Sequence, residues 1–578
     1  MPVHNSQINT IFEQIANLLE IKGANVFRVR AYRNGAQSIS NLSTNLSDMV
    51  QAGEDLTELS GIGDDLAAKI EEIIRTGECS YLEELKEELS PGLLDILEIP
   101  RLGPKRVKKI YDELGIDDVD DLEKAAQEHQ IQELSGFGKK TEQNILEGIQ
   151  ENKKKKGVER YLLFRVEEYV ADLIEYLEKK EGVNKVTAAG SFRRRKETIG
   201  DVDLLVTCED REETAQAFVD YEDVKEITAQ GEKRSAVILK SGLQVDLRII
   251  DEEQYGSALM YFTGSQAHNV VLRQLAQDQG LKLSEYGVFD GDDNLASATE
   301  EEVYQALGLN YIPPELRENN GEVEASQNEE LPELVTVDDI KGDLQMHTTA
   351  SDGKNTLKEM LEGARAKGYE YLAITDHSQR VSVAGGLDEE ELLAEIEKME
   401  ELNQEYDDFT ILKSCEVDIL KDGRLDLADE VLEKLDVVVA STHFYRDLDK
   451  AEQTERIIKG LRNPHVNILA HPTGRIIGKR TEMEMDLEKI MKTAVEEGCF
   501  LEINASPKRL DLSDKYCRLA KELGLKLVIS TDAHSVEQLD NMSYGVDQAR
   551  RGWMTADDIV NTRGVKELKK LLDKKIKL

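Results

Sequence analysis

Gly190-Ser191-Phe192-Arg193-Arg194-Arg195-Lys196-Glu197-Thr198-Ile199-Gly200-Asp201-Val202-Asp203-Leu204-Leu205-Val206 joins a Gly-Ser turn and a run of cations to an Asp-x-Asp that leads into an apolar run. Side chains alternate faces along a strand, so Asp201 and Asp203 point the same way. Two carboxylates on one face at the head of a buried strand repel each other and resist desolvation unless a cation lies between them. The turn offers backbone N–H groups and a hydroxyl, and Arg194 offers a bidentate cation, which is the set a triphosphate requires. A bare Asp-x-Asp reads as a solvated acidic turn. The spacing of glycine, serine and arginines before it is what favours a metal-and-phosphate strand.

Working outward, Val166 to Leu177 has the spacing of an amphipathic helix. Ala236 to Ile250 reads as two strands around a Ser241-Gly242 turn, with Asp246 inside the second. A lone carboxylate in an apolar strand needs a partner. Three carboxylates on adjacent strands suit two Mg2+ ions, one lowering the pKa of an attacking hydroxyl and one neutralising a departing pyrophosphate.

The next motif is Tyr255-Gly-Ser-Ala-Leu-Met-Tyr-Phe-Thr-Gly-Ser-Gln-Ala-His-Asn-Val-Val-Leu-Arg273. With Gly190-Ser191-x-x-Arg194, Gly200-Asp-x-Asp203 and Asp246, it resembles the palm and thumb of a beta-type family X DNA polymerase. The resemblance implies an α+β nucleotidyltransferase palm over 156–250 and a nucleotide-selecting thumb over 251–315. It also implies transfer from a dNTP onto a 3′-hydroxyl, usually in gapped DNA. By position, Asp201 and Asp203 would bind both metals, and Asp246 would orient the primer hydroxyl. Gly190, Ser191, Arg194 and Gly200 would hold the triphosphate. Tyr261, Phe262 and Gly264 would pack on the sugar, Asn269 on the incoming base and Arg273 on the template strand. One departure is Gln244, where the beta type has an arginine two residues before the third Asp.

Residues 1–155 read as helix after helix, divided at about residue 85. Leu59-Ser-Gly-Ile-Gly63, Ile99-Pro-Arg-Leu-Gly-Pro104 and Leu134-Ser-Gly-Phe-Gly138 repeat a glycine turn between helices. This helix-hairpin-helix pattern lets backbone N–H groups approach a phosphate at a helix N-terminus. Gly61, Gly63, Gly103, Lys105, Gly136 and Gly138 are the candidate DNA-backbone contacts, positioning the strand without reading its sequence. Residues 59–70 are similar to the lyase subdomain of the same polymerases, with Lys69 on the Schiff-base lysine. Asp65 stands where that family has a supporting lysine, and an acid there raises an amine's pKa. Lys69 therefore reads equally as a lyase nucleophile or a phosphate-binding lysine.

Residues 316–335 are polar, acidic and poor in aromatics, and read as a linker. From 336 to 578, short apolar runs alternate with charged helices and end at His347, His377, Glu416, His443, His471, Asn504 and Asp532-Ala-His534. Polar groups gathered at strand ends are what a parallel barrel places on its catalytic rim. So many histidines and acids in register point to a multinuclear metal site. Asp343-Leu-Gln-Met-His-Thr-Thr-Ala-Ser-Asp-Gly353, Thr375-Asp-His377, Ser441-Thr-His443, His471-Pro and Ser530-Thr-Asp-Ala-His534 resemble a PHP (polymerase and histidinol phosphatase) domain. The resemblance implies a distorted (β/α)7 barrel that hydrolyses phosphoesters with up to three Mn2+, Zn2+ or similar ions. The implied ligands are Gln345, His347, Asp352, His377, Glu416, His443, His471, Asp532 and His534. Gln345 replaces the usual histidine, and its amide oxygen favours Mn2+ over Zn2+. Arg475, Lys479, Lys508 and Arg509 follow strand ends and read as phosphate grips or as ordinary surface charges.

The chain has 578 residues, enough for several domains, with 116 acidic against 73 basic residues and a net charge of −43. That charge alone opposes nucleic-acid binding, but basic residues concentrate at Arg101–Lys109, Lys153–Lys156 and Arg193–Lys196. Scattered cysteines without a Cys-x-x-Cys pair, no secretory signal and no long apolar run are the expectation for a cytoplasmic, nucleoid-associated protein without a membrane partner. The combined reading is a monomeric multidomain repair polymerase acting on gapped or primer-template DNA and dNTPs. Its barrel would remove 3′-terminal nucleotides or cleave abasic sites. The alternatives are a small-molecule phosphatase fused to a polymerase, and a DNA-binding scaffold whose barrel site has decayed.

Overall fold

The computed structural model describes residues 5–40, 46–59, 61–76, 79–90, 92–97, 99, 102–157 and 160–573. Arg101 and the side chains of Lys153–Lys156 lie outside the described residues. The chain divides into two compact units, Met1–Val158 and Glu159–Leu578.

Among the described residues, every element of the first unit is a helix. Helix Asp64–Thr76 buries Leu66, Ala67, Ile70 and Ile73 on one face and carries Asp64 and Asp65 in its first turn, where they meet the positive end of the helix dipole. Helix Pro104–Leu114 starts behind Gly103 with proline at its head, buries Val107 and Ile110, and stops at Gly115 in the left-handed conformation.

In the second unit a five-stranded sheet has the spatial order Val183–Ala188, Asp201–Cys208, Gln244–Ile249, Arg234–Leu239, Val224–Ala229. Only the central pair is parallel. Val202, Leu204, Leu205 and Val206 are fully buried, each stabilising by ~1.5–3 kcal/mol, and this anchors the strand that presents Asp201 and Asp203. Helices Leu163–Glu178 and Arg211–Val219 share the core beneath the sheet. Helices Tyr255–Thr263, Gln266–Asp278 and Glu300–Ala306 follow, with a small antiparallel sheet over residues 282–296.

The stretch expected to be a linker is folded. Arg317 is fully buried, bonding Glu300 (2.6 Å) and the Ile312 carbonyl (2.8 Å) beneath the Tyr304 and Tyr311 rings. Glu322, at the head of helix Glu322–Gln327, is equally buried, receives the Asn319 and Asn320 amides and lies 2.6 Å from His268 Nδ1. In sequence, a charge in a buried network looks the same as a charge in solvent, so polar composition misled here.

The C-terminal sheet has seven parallel strands in chain order: Gly342–Asp343, Tyr371–Ile374, Thr410–Asp418, Val437–Ser441, Ile468–Leu469, Phe500–Asn504 and Leu527–Ser530. A bridge between Met346 and Ala533 joins the first strand's continuation to the last's, making a nearly closed barrel. The distorted seven-stranded barrel expected from the sequence is present.

Candidate active sites

On the central parallel pair, Asp201 lies opposite Gln244 and Asp203 opposite Asp246, so register alone brings the three carboxylates together. Burial, then Asp201 and Asp246, push Asp203 up to about 7; burial, then Asp246, also raise Asp201. Carboxylates so destabilised as anions are a set that fits divalent cations. Asp246 is held from two sides. Gln244 Nε2 donates to Oδ2 at 2.8 Å, and Arg234 Nε and Nη2 donate to Oδ1 at 3.0 and 2.7 Å. The cation absent from position 244 thus comes from the neighbouring antiparallel strand. Pairing register sets that contact, and sequence reading missed it.

Gly190 has φ +62°, and a Cβ there would lie 2.9 Å from Asp203 Oδ2. Its glycine therefore makes room for the carboxylate. The cations of Arg193–Lys196, read from sequence as a basic patch, are neutralised inside the fold. Arg193 pairs bidentately with Glu300 (2.9 and 2.6 Å), Arg194 with Glu318 (3.0 Å), and Arg195 with Asp547 (2.7 Å) and Glu167 (2.6 Å). Lys196 lies 3.6 Å from Glu318. Arg551 of the barrel donates to the Arg194 carbonyl at 2.7 Å, and Arg475 reaches Glu197 at 2.7 Å. Arg194 also donates to the Thr263 carbonyl, beside Gly264, which ties the turn that begins at Gly190 to the Tyr261–Gly264 segment. Tyr261 and Phe262 meet edge to face at 5.3 Å, and Asn269 Nδ2 donates to the Tyr261 carbonyl at 2.6 Å. Ser191 and Arg273 are half-buried, and Gly200 is buried.

In the barrel, Glu416 is the central carboxylate. Its oxygens lie 3.0 Å from His377 Nδ1, 3.0 Å from His471 Nε2, 3.5 Å from His443 Nε2 and 3.6 Å from His347 Nε2. His347 Nε2 is also 3.2 Å from Asp532, while Asp352 lies 3.4 Å from His534 and 3.7 Å from both His347 and His377. Ligands ~2.1 Å from one ion sit ~3.0 Å apart in octahedral and ~3.4 Å apart in tetrahedral geometry. Both ring nitrogens of His347, both amide atoms of Gln345, His377 Nδ1, His471 Nδ1 and Glu416 Oε2 are buried without a hydrogen-bond partner. Orphaned lone pairs at ligand spacing fit metal ions. Two groups bring donor atoms within 4.8 Å of one another: His347, Asp352, His377 and His534; and His377, Glu416 and His443. Burial pulls the His377 imidazole down, but Glu416 and Asp352 outweigh it and hold the ring up to about 11. A bound metal would take the place of that proton.

Asp418, two residues beyond Glu416, is buried with Oδ2 unpartnered and Oδ1 3.4 Å from His443 Nδ1. Strand alternation from Glu416 was the signal that would have found it. Asn504 donates to Asp532 at 3.0 Å and to Glu502 at 3.2 Å, fixing the carboxylate's orientation.

In the first unit, a Cβ on Gly63, Gly103, Gly136 or Gly138 would meet nothing within 4 Å among the described residues beyond its own chain neighbours. Open space at these turns leaves the backbone free for an external phosphate. Gly61 differs: its added Cβ would meet Ser38 Oγ at 3.0 Å. Lys105 is exposed on the first turn of its helix. Lys69 Nζ lies 2.6 Å from Asp65 and its side chain is only 15% exposed. An ammonium held by a carboxylate is a poor nucleophile. Borohydride trapping with a 5′-deoxyribose-phosphate end should accordingly yield no adduct above the Lys69→Ala background, and a clear wild-type adduct would restore the lyase role.

Family models match along the chain. They are a helix-hairpin-helix domain at residues 3–79, a SAM-like helix-hairpin-helix tandem at 93–151, the DNA polymerase beta palm at 163–258, the DNA polymerase beta thumb at 258–318, and a PHP domain at 343–506. The DNA polymerase/3′-5′ exonuclease PolX of Bacillus subtilis (strain 168) is 39% identical over 574 residues, covering 99% of each chain. A probable phosphatase of Thermoanaerobacter sp. (strain X514) is 31% identical over 247 residues, 41% of this chain and 96% of the relative. Another, from Caldanaerobacter subterraneus subsp. tengcongensis, is 29% identical over 246 residues, 41% of this chain and 92% of the relative.

Proposed function

This chain belongs to the family X DNA polymerases that carry a C-terminal PHP domain, and from that premise we propose that it fills short gaps in DNA and trims 3′ ends at two separate metal centres. The observation that carries the reading is the pairing of Asp203 with Asp246 beside Asp201, in a unit that also holds a histidine cluster around Glu416.

Asp201, Asp203 and Asp246 are the metal-binding set of the palm, suited to Mg2+. When bound, such ions supply an activated 3′-hydroxyl and charge neutralisation on pyrophosphate. Arg234 and Gln244 keep Asp246 aimed. Arg194, on the turn that begins at Gly190 and Ser191, receives the triphosphate in exchange for Glu318. Tyr261, Phe262 and Gly264 face the sugar, Asn269 the base and Arg273 the template. In the barrel, His347, Asp352, His377, His534, Glu416, His443, His471, Asp532 and Gln345 hold softer ions, Mn2+ before Zn2+ because Gln345 offers an amide oxygen in place of an imidazole. The protein works as a cytoplasmic monomer, with helical segments 1–85 and 86–155 on the DNA backbone.

The test is incubation with gapped DNA carrying a labelled 3′ end. Extension with dNTPs and Mg2+, and stepwise shortening with Mn2+, support the reading. Phosphate release without shortening would instead place the barrel with the probable phosphatases. Binding is phosphate-directed, so log affinity should fall by roughly 0.9 per phosphate contact for each decade of salt. A flat dependence in a filter-binding titration would exclude the hairpins as the DNA contact.

A further inference from the structure

Two arginines beside the barrel centre meet at one backbone carbonyl. Arg446 lies just beyond His443, and Arg480 follows the loop that starts at His471. Arg446 Nη2 and Arg480 Nε both donate to the carbonyl of Gly474, at 2.8 and 2.9 Å. Gly474 has φ +63°, and a Cβ there would lie 2.1 Å from Arg446 Nη1, so this glycine makes room for the guanidinium. The loop is fixed to the one bearing Arg509: Ile477 N donates to the Lys508 carbonyl at 2.9 Å and Arg475 Nε to the Arg509 carbonyl at 3.0 Å. Arg509 Nε in turn lies 3.8 Å from Asp532 Oδ2. Three guanidiniums therefore share one platform, with Arg509 against the centre. Arg446 and Arg480 make no hydrogen bond or ion pair with a candidate ligand among the described residues.

Neither Arg446 nor Arg480 pairs with a carboxylate among the described residues. Asp511, the acid that acts on both, is instead turned to the Thr473 amide and hydroxyl and the Gly474 amide. Burial, then the proximity of Arg480 and Arg509, pull Arg446 down to about 10. In a chain with 116 acidic residues, Arg193, Arg194, Arg195, Arg475 and Arg551 each pair with a carboxylate. Guanidiniums kept together without one are held against their repulsion and await an anion. Forked donors suit a phosphate.

We propose that Arg446 and Arg480 form a clamp for a DNA backbone phosphate beyond the scissile one, so that the barrel engages a polynucleotide rather than a small phosphate ester. The clamp rests on the reading that the barrel degrades DNA. It explains how a site with phosphatase relatives selects a strand: a small ester has its only phosphate at the metals and nothing for the clamp to hold.

The full chain carrying Arg446→Gln and Arg480→Gln tests it, with Mn2+, on a short oligothymidylate and on bis(p-nitrophenyl) phosphate, which has a single phosphate. The amides keep a donor for Gly474. KM for the oligonucleotide should rise ~10-fold or more, with kcat nearly unchanged, as expected for loss of charge-assisted bonds. The salt slope of kcat/KM should shrink by roughly 0.7 for each phosphate of the single strand that the variant no longer grips. Turnover of the small diester and primer extension should match wild type. Unchanged KM and salt slope on the oligonucleotide would overturn the clamp. An equal loss on both substrates would overturn it too, by making these side chains supports of the metal loops. A wild type that cleaves the small diester but leaves the oligonucleotide intact would sink the exonuclease reading itself, a failure seen before any variant is made.

Discussion

Replacing Asp201 and Asp203 together by alanine should lower primer extension on gapped DNA at least ~10³-fold, since metal stabilisation of the transition state amounts to several kcal/mol. Degradation of the same primer with Mn2+ should continue. The variant is expected to fold, for an electrostatic reason. Burial, with Asp201 and Asp246, raises Asp203 to about 7, above the ordinary carboxylate value. Ionised carboxylates there oppose folding above that ordinary value, and the opposition fades as the pH falls. Alanine removes it, so in chelating buffer near pH 8 the variant should melt no lower than wild type, while Mg2+ should raise the melting temperature of wild type alone. Retained extension would displace the active site from this strand pair.

His347→Ala should do the converse. His347 is fully buried, its ring 4.5 Å from His377 and 4.3 Å from His534, with both nitrogens unpartnered. Losing it removes a donor next to Glu416 and Asp532 and leaves imidazoles facing carboxylates without the ion. Mn2+-dependent shortening should fall ~10²-fold or more, the loss that even an outer partner of a metal ligand approaches. Metal content after dialysis should drop in parallel. Primer extension within about twofold of wild type would be the sign that the fold survives. Degradation at the wild-type rate would remove the histidine cluster from the chemistry.

The two variants separate because the sites are built from different parts of the chain, and the same division explains what sequence could tell. Gly190 to Val206, the Tyr255 to Arg273 segment and the strand-end histidines are local patterns. Alternation puts Asp201 and Asp203 on one face, and each barrel strand delivers its polar group to the same rim. These features, with the helical hairpins and the barrel class, follow from residue type and spacing.

Contacts that depend on pairing register or on a buried charge did not follow. Gln244 looked like a lost cation until the antiparallel partner strand brought Arg234 to Asp246. Residues 316–335 looked like a solvated linker, yet Arg317 and Glu322 are buried polar anchors. The Arg193–Lys196 run looked like an open basic patch, yet Glu300, Glu318 and Asp547 neutralise its arginines. Asp418 lay two residues from the candidate ligand Glu416 and still went unnoticed. Sequence by itself determined which chemistries are present and on which elements, because alternation and strand ends act over a few residues. Only the tertiary structure decided which charges meet, because a carboxylate's partner is chosen by distance and burial, and these are settled between segments far apart in the chain.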